Sequence, residues 1–358
     1  MSFFFKNKRV LVTGACGTIG KELTRQLLEN YQAVEVVGID NNESDLFFIE
    51  QTYSDYGNAS FVIADIRDPE KLKRMMHGID VVFHTAALKH VVLCEKSPFE
   101  AIQTNIIGVK NIINASIANK VSCAIFTSSD KAVNPTNVMG TSKLMGERTM
   151  TAANSNMRDS KTIFASTRFG NVLGSRGSVI PIFKEQIKKG GPITLTASGM
   201  TRFIMSIKDA VQLVIDSAEI AKGGDVFITK MPVIRIKDLA EVMIEELAPI
   251  YGHSPGEIEI QIIGTKPGEK MYEELMSDEE TRRTIELKRY FAVKPAFESL
   301  YRKIKYDYEN TVSDNVTNPY NSANEIPLSK SQLKNFLLIN ELLEECKNVN
   351  HPDRRYWP

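Results

Sequence analysis

Short apolar runs rich in β-branched residues recur along the first half of the chain, with helically spaced stretches between them. The runs are Lys8-Arg9-Val10-Leu11-Val12-Thr13, Val34 to Ile39, Phe61 to Ala64, Val81 to His84, Cys123 to Thr127 and Thr162 to Ser166. Each reads as a buried strand. Between the first two, Thr18 to Asn30 carries apolar residues at 19, 23, 27 and 28, one face of a helix. Strand and helix in alternation predict an α/β fold, a doubly wound parallel sheet with right-handed crossovers. Past Phe169 the texture changes. Gly174, Gly177, Pro181, Gly190, Gly191 and Pro192 punctuate shorter elements, and Asp225 to Ile228 reads as one more strand returning to the main sheet. The pattern predicts a main domain over 1–170, with 205–230 returning to it, and a smaller α/β cap over 171–204 and 231–310. Residues 311–358 are expected to form a C-terminal loop or arm and a helix. Within them, 311–326 is rich in Asn and Ser and reads as loop.

Charge and composition narrow the function classes. The 358 residues hold 44 Lys and Arg against 44 Asp and Glu, so the net charge is zero. That argues against a general nucleic-acid or membrane surface. No segment approaches the roughly 18 apolar residues of a membrane span. The opening Ser2-Phe3-Phe4-Phe5 is too short for a secretory signal and reads as a satellite of the core. Cys16, Cys94, Cys123 and Cys346 lack metal-ligand spacing, so no metal is expected. Cys16 and Cys123 read as small hydrophobes. A cytoplasmic protein is expected.

The first strand runs into Gly14-Ala15-Cys16-Gly17-Thr18-Ile19-Gly20, and a helix follows. Glycines at this strand-to-helix turn let the backbone approach a pyrophosphate. The amino end of the helix, at Thr18 and Ile19, offers N–H groups and a positive dipole. The chain is therefore expected to carry a dinucleotide on a Rossmann-like domain. Asp40 ends the second strand, where a carboxylate accepts from the adenosine ribose hydroxyls. Asn41 and Asn42 follow with no adjacent arginine for a 2′-phosphate, which favours NAD over NADP. Asp65 and Ile66 are expected to flank the adenine, and Ala86 and Ala87 to leave room for the cofactor. Lys89, in the same loop, is assigned to cofactor and substrate alike. Asn105 is expected to bond the loop around Ala86.

Ser129, Asp130 and Lys131 leave the carboxyl end of the fifth strand, the edge that lines the ligand crevice in an open α/β sheet. A hydroxyl, an acid and a base at successive positions serve proton transfer at neighbouring carbons. A helix cap beside a solvated lysine is the competing reading.

With these motifs in place the chain resembles the extended short-chain dehydrogenases/reductases. Among them it is most similar to the UDP-N-acetylglucosamine 4,6-dehydratases of polysaccharide biosynthesis. The matching residues are Gly14, Gly17 and Gly20; Ser129 to Pro135; Arg168 to Pro181; Met200 to Phe203; and Lys266 to Lys270. The resemblance implies a lyase that oxidises UDP-N-acetylglucosamine at C4 with NAD, expels water across C5 and C6, and returns the hydride to C6. In it Asp130, helped by Ser129, exchanges protons with the C4 and C6 hydroxyls. Lys131 removes the C5 proton once burial and a neighbouring Lys143 make it a base. Lys143 binds the nicotinamide ribose. The superfamily tyrosine of the YxxxK motif is replaced by Met139, which the resemblance associates with retention at C5. Asn171, Ser178, Val179, Thr194, Arg202 and Glu269 are assigned to the UDP-sugar. A homo-oligomer, dimer or higher and up to a hexamer, is also implied. An inverting dehydratase, a UDP-sugar 4-epimerase and a catalytically silent NAD-binding regulator are the rival readings. The tail through Trp357 is left without a role.

Overall fold

The computed structural model describes residues 4–156, 160–175, 178–265, 268–297, 301 and 303–344. Arg176, Gly177, Lys266, Pro267, Cys346, Ser2, Phe3 and the tail from Arg354 to Pro358 lie outside the described residues. The chain divides into two compact units. One comprises Met1–Gly170, Ile207–Met231 and Glu273–Asn324, the other Asn171–Ser206, Pro232–Tyr272 and Glu325–Pro358.

The first unit is built on a ten-stranded sheet. Its strands are β1 (Arg9–Thr13), β2 (Glu35–Asp40), β3 (Ala59–Ile63), β4 (Val81–His84), β5 (Cys123–Thr127), β6 (Ile163–Arg168), β7 (Val226–Thr229), β8 (Thr284–Leu287), β9 (Tyr290–Val293) and β10 (Thr311–Ser313). They lie in the order β10-β8-β9-β7-β6-β5-β4-β1-β2-β3, parallel from β7 through β3. The central strands are nearly continuous apolar runs because both faces of the sheet are covered there. Alternate residues go to opposite faces. Val10, Val12, Phe83 and Ile125 join one core with Leu23, Leu27 and Val214. Leu11, Val82, Ala124 and Phe126 join the other with Val109 and Ile112. Helix α1 (Thr18–Glu29) follows β1, α2 (Gly108–Ala118) precedes β5, and α3 (Val138–Asn156) precedes β6.

The other edge differs from the sequence reading. Residues 231–310 were expected in the cap, yet β8 and β9 form an antiparallel hairpin that extends the main sheet from β7. Its turn, Lys288-Arg289, has neither glycine nor asparagine, and its strands are too short to show a period. Part of the expected loop, Thr311–Ser313, pairs with β8.

The second unit has a three-stranded sheet of Val233–Arg235, Thr201–Met205 and Asn171–Val172, and a parallel pair of Ile193–Leu195 with Ile260–Ile262. Helices Val179–Lys188, Ile236–Leu247 and Lys330–Ile339 enclose a core that includes Phe183, Ile204, Leu239, Met243 and Leu337. Ser329 and Gln332 form a capping box at the start of the last of these helices. Among the described residues no helix is long and apolar enough to cross a membrane, and no His/Cys/Asp/Glu group is arranged to hold a metal.

Candidate active site

The glycine turn is tight enough to exclude side chains. A Cβ on Gly20 would lie 2.1 Å from the Gly14 carbonyl oxygen. One on Gly14, whose φ is +70°, would lie 2.7 Å from Ala86 Cα. Gly17 precedes α1, and no side chain caps that helix end. Asp40 braces the turn. Its Oδ2 accepts from the Cys16 N–H at 2.9 Å and its Oδ1 from the Asn42 N–H at 3.0 Å. Gly14, Gly17, Ile39, Asp40, Asn41, Ala64, Asp65, Ile66, Ala86 and Ala87 line a cavity of about 330 Å³. The glycine cradle, the helix start and the Asp40 carboxylate suit a dinucleotide.

Arg67 lines the same cavity. The sequence reading found no arginine there because Arg67 arrives from the loop after β3, not from the Asp40 turn. Its partners line the same cavity: its Nη2 lies 2.6 Å from Asp65 and its Nη1 3.0 Å from Glu100. The Arg67 hydrogen bonds hold the Asp65 carboxyl below its ordinary value, against the opposing effect of burial.

Asn105 is buried and clamps the loop after β4. It accepts from the Leu88 N–H and donates to the Leu88 carbonyl and to the Ser142 hydroxyl, each at 2.9 Å. It lies in a π-helical segment, Gln103–Ile107, between the helices Pro98–Ile102 and Gly108–Ala118. Such bulges recur at functional sites. The Leu88 clamp lies two residues beyond the expected Ala86. Lys89 is exposed in the same loop.

Gly20→Ala should push the turn off α1. We expect a loss of about 1–3 kcal/mol in stability and a loss of NAD affinity. Thermal melts and NAD titration check this; unchanged NAD binding would refute the cradle.

At the carboxyl end of β5 the chain turns sharply. Ser128 N–H donates to the Thr167 carbonyl at 2.7 Å and Asp130 N–H to the Phe169 carbonyl at 3.2 Å, which draws the turn onto the end of β6. Asp130 is 1% exposed. Its Oδ1 accepts from Ser129 Oγ at 2.5 Å and from the Lys131 N–H at 3.0 Å. Lys131 Nζ lies 3.1 Å from both Asp130 oxygens. Burial alone would raise the Asp130 carboxyl. The Lys131 charge and hydrogen bonds from Ser129, Glu273 and Lys131 outweigh it and hold the group below its ordinary value.

Glu273 was missed by the sequence reading. It is buried, and its Oε1 lies 3.5 Å from Lys131 Nζ. Its backbone is fixed by reciprocal bonds with Ser322, from Glu273 N–H to the hydroxyl and from Ser322 N–H to the Glu273 carbonyl. Arg168 holds the segment that follows. Its guanidinium spans Glu147 and Glu280 and also donates to the Leu275 carbonyl. Asn134 Nδ2 donates to Glu274 at 3.1 Å. No local signal links Glu273 to the Asp130 turn; only the fold joins them.

Lys143 is buried on α3. Its Nζ donates to the Thr127 carbonyl at 2.9 Å and lies 4.8 Å from the Phe126 ring centroid. Burial lowers its ammonium to about 8, against the opposing charge of Glu147. Met139 is buried with Cys94 and Ala101 and has no proton to exchange. Gly140, one residue on, has no room for a side chain: a Cβ there would lie 2.2 Å from the Lys131 carbonyl oxygen.

The residues assigned to the UDP-sugar, Lys89 apart, belong to the second unit. Arg202 is buried, and its guanidinium donates to the carbonyls of Thr201 at 2.7 Å, Met271 at 3.2 Å and Lys270 at 2.8 Å. It thereby anchors the 270–271 segment. Glu269 is exposed and accepts from the Thr196 hydroxyl at 3.3 Å. Thr194 N–H and Oγ1 are both bonded to the Gln186 amide, and its strand pairs with Ile260–Ile262. Ser178 precedes the helix that opens at Val179, and Asn171 opens the short strand beside Ile204.

Residues 10–295 match the family described as "Polysaccharide biosynthesis protein". The X-ray structure of Pen from Bacillus thuringiensis is 43% identical, with a TM-score of 0.87 over 95% of this chain and 99% of that one. An inverting UDP-N-acetylglucosamine 4,6-dehydratase of Campylobacter jejuni is 39% identical over 82% of this chain and 84% of its own. A UDP-glucose 4-epimerase of Rickettsia typhi is 37% identical over 96% and 100%. The chain belongs to the polysaccharide biosynthesis protein family and has the extended short-chain dehydrogenase/reductase fold.

Proposed function

We propose that the protein is an NAD-dependent UDP-N-acetylglucosamine 4,6-dehydratase, a hydro-lyase that forms a UDP-4-keto-6-deoxy-N-acetylhexosamine with retention at C5. The observation that carries this reading is the buried Asp130 carboxylate, bonded to Ser129 and Lys131 at the carboxyl end of β5. Two proton-transfer groups side by side suit an elimination, which must take a proton from C5 and deliver one to the C6 hydroxyl. NAD, when bound, supplies the acceptor and later the donor of the hydride. Gly14, Gly17 and Gly20 would hold its pyrophosphate and Asp40 its adenosine ribose.

Asp130 takes the C4 hydroxyl proton, relayed by Ser129. Lys131, 27% exposed at its side chain, loses its ammonium proton to water and then takes the proton of C5. Asp130 returns its proton to the departing C6 hydroxyl, and one water leaves. Lys131 gives a proton back to C5 from the face it came from, which retains the configuration. Met139 offers no second group to protonate the other face. Lys143, with its charge beside Thr127, orients the nicotinamide ribose. The Campylobacter relative is named as inverting, so support for retention rests on Met139 and not on that likeness.

A 4-epimerase is favoured by the likeness to the Rickettsia relative. Epimerisation at C4 needs no acid at C6 and leaves Lys131 without work. We also propose self-association, supported by exposed Leu93 and Phe99 on the short helices Val91–Lys96 and Pro98–Ile102. Mass spectrometry of the product from UDP-N-acetylglucosamine and NAD tests the reading. We expect the loss of one water with no net reduction of cofactor. A product of unchanged mass contradicts it.

A further inference from the structure

Two carboxyls and one ammonium meet in the buried turn after β5. Asp130 and Glu273 are 1% and 4% exposed, and Lys131 Nζ reaches both, at 3.1 and 3.5 Å. A hydrogen bond from Glu273 is among the causes that hold the Asp130 carboxyl below its ordinary value, so the two carboxyls lie within reach of each other. Two carboxylates cannot share a hydrogen bond without a proton between them. With both ionised, the cluster would carry a net negative charge out of water, and repulsion between the carboxylates would add to that cost. Asp130 and Lys131 face Glu273 from the turn. Glu274, its chain neighbour, accepts from Asn134. Across the strand pair, Ser322 presents a hydroxyl to the Glu273 N–H, and the Tyr320 hydroxyl is bonded to the Met231 backbone.

We infer that Glu273 is a positioning residue that stays protonated in the resting enzyme and donates its hydrogen bond to Asp130, so that the pair carries one proton and the cluster is neutral. This deepens the dehydratase reading and rests on it for the role of Asp130. The protonated Glu273 leaves Asp130 as the one carboxylate free to accept from the C4 hydroxyl. It also leaves Lys131 facing one negative charge in place of two, which eases the release of the ammonium proton. The proton count closes over a cycle: Asp130 gains the C4 hydroxyl proton and passes one to the C6 hydroxyl, while Glu273 keeps its own.

Infrared difference spectra of the full chain, uniformly labelled on its glutamate carboxyls, test this without substrate. At neutral pH the parent should show the carbonyl stretch of one buried carboxylic acid, and Glu273→Gln should lose it. Gln keeps the size and can still donate to Asp130, whereas Leu cannot. We therefore expect kcat to fall about three-fold in Glu273→Gln and about a hundred-fold in Glu273→Leu, with KM little changed. A parent without the acid band, or a Gln variant as impaired as Leu, overturns the proposal. If the band is present but the parent turns over no UDP-N-acetylglucosamine, the proton assignment stands and the dehydratase reading fails.

Discussion

Asp130→Asn should lower kcat by about 10³–10⁴ while leaving the fold and NAD binding in place. The side chain is fully enclosed, and Asn is its isostere. The amide oxygen can still accept from Ser129 and from the Lys131 N–H, so the turn keeps its bonds. What disappears is the group that takes the C4 hydroxyl proton and returns it at C6. Without it neither oxidation at C4 nor departure of the C6 hydroxyl has a proton partner. Steady-state turnover, with a thermal melt and an NAD titration as controls, measures the effect. Near-parental turnover in a folded, NAD-binding variant refutes the role.

The largest stability effect is expected at Arg168. All five guanidinium N–H groups are used, on Glu147, Glu280 and the Leu275 carbonyl, and the residue is 2% exposed. Arg168→Met removes the cation and leaves two buried carboxylates facing each other. Breaking one side of such a pair costs about 3–5 kcal/mol. The same network sets an acid limit. Burial tends to raise the Glu280 carboxyl, but the Arg168 charge and hydrogen bonds win and place it at about 2, below its ordinary 4.5. A carboxyl depressed by folding stabilises the folded state above its ordinary value and loses that contribution as pH falls toward the folded value. Parental stability should therefore decline from about pH 4.5 down to about pH 2 through this group, and Arg168→Met should flatten that part of the curve. Urea melts across this range read both effects. An unchanged melting midpoint in the variant contradicts the account. The consequence reaches the active site, because the fork on Glu280 and Leu275 fixes the segment that begins at Glu273.

How much of this was legible in the chain follows from what each residue depends on. The central parallel strands announce themselves because each is packed on both faces and must be nearly all apolar, and β3, at the sheet edge, still carries the apolar run Phe61 to Ala64. The glycine turn is legible because each glycine answers a local steric demand. Ser129, Asp130 and Lys131 are visible because they are consecutive. The β8–β9 hairpin is hidden by short strands and by a turn, Lys288-Arg289, that carries no turn residue. The π segment around Asn105 has no composition of its own. Arg67 and Glu273 reach their sites by folding alone, so spacing could not reveal them. Arg202 was assigned to the substrate for its charge, and its bonds to backbone carbonyls of the second unit could not be read from the chain. The Lys143 bond to the Thr127 carbonyl was likewise beyond sequence, since it turns on which way a buried side chain points.

The central claim is an elimination that passes through the C5–H bond. Incubation with UDP-N-acetylglucosamine and NAD in deuterated water, followed by proton NMR of the product, tests it most directly. The account predicts a 4-keto-6-deoxy sugar with solvent deuterium at C5 and the configuration there unchanged, because Lys131 exchanges with water and serves one face. A C4 epimer without deuterium at C5, or no reaction with the folded, NAD-bound protein, would contradict it.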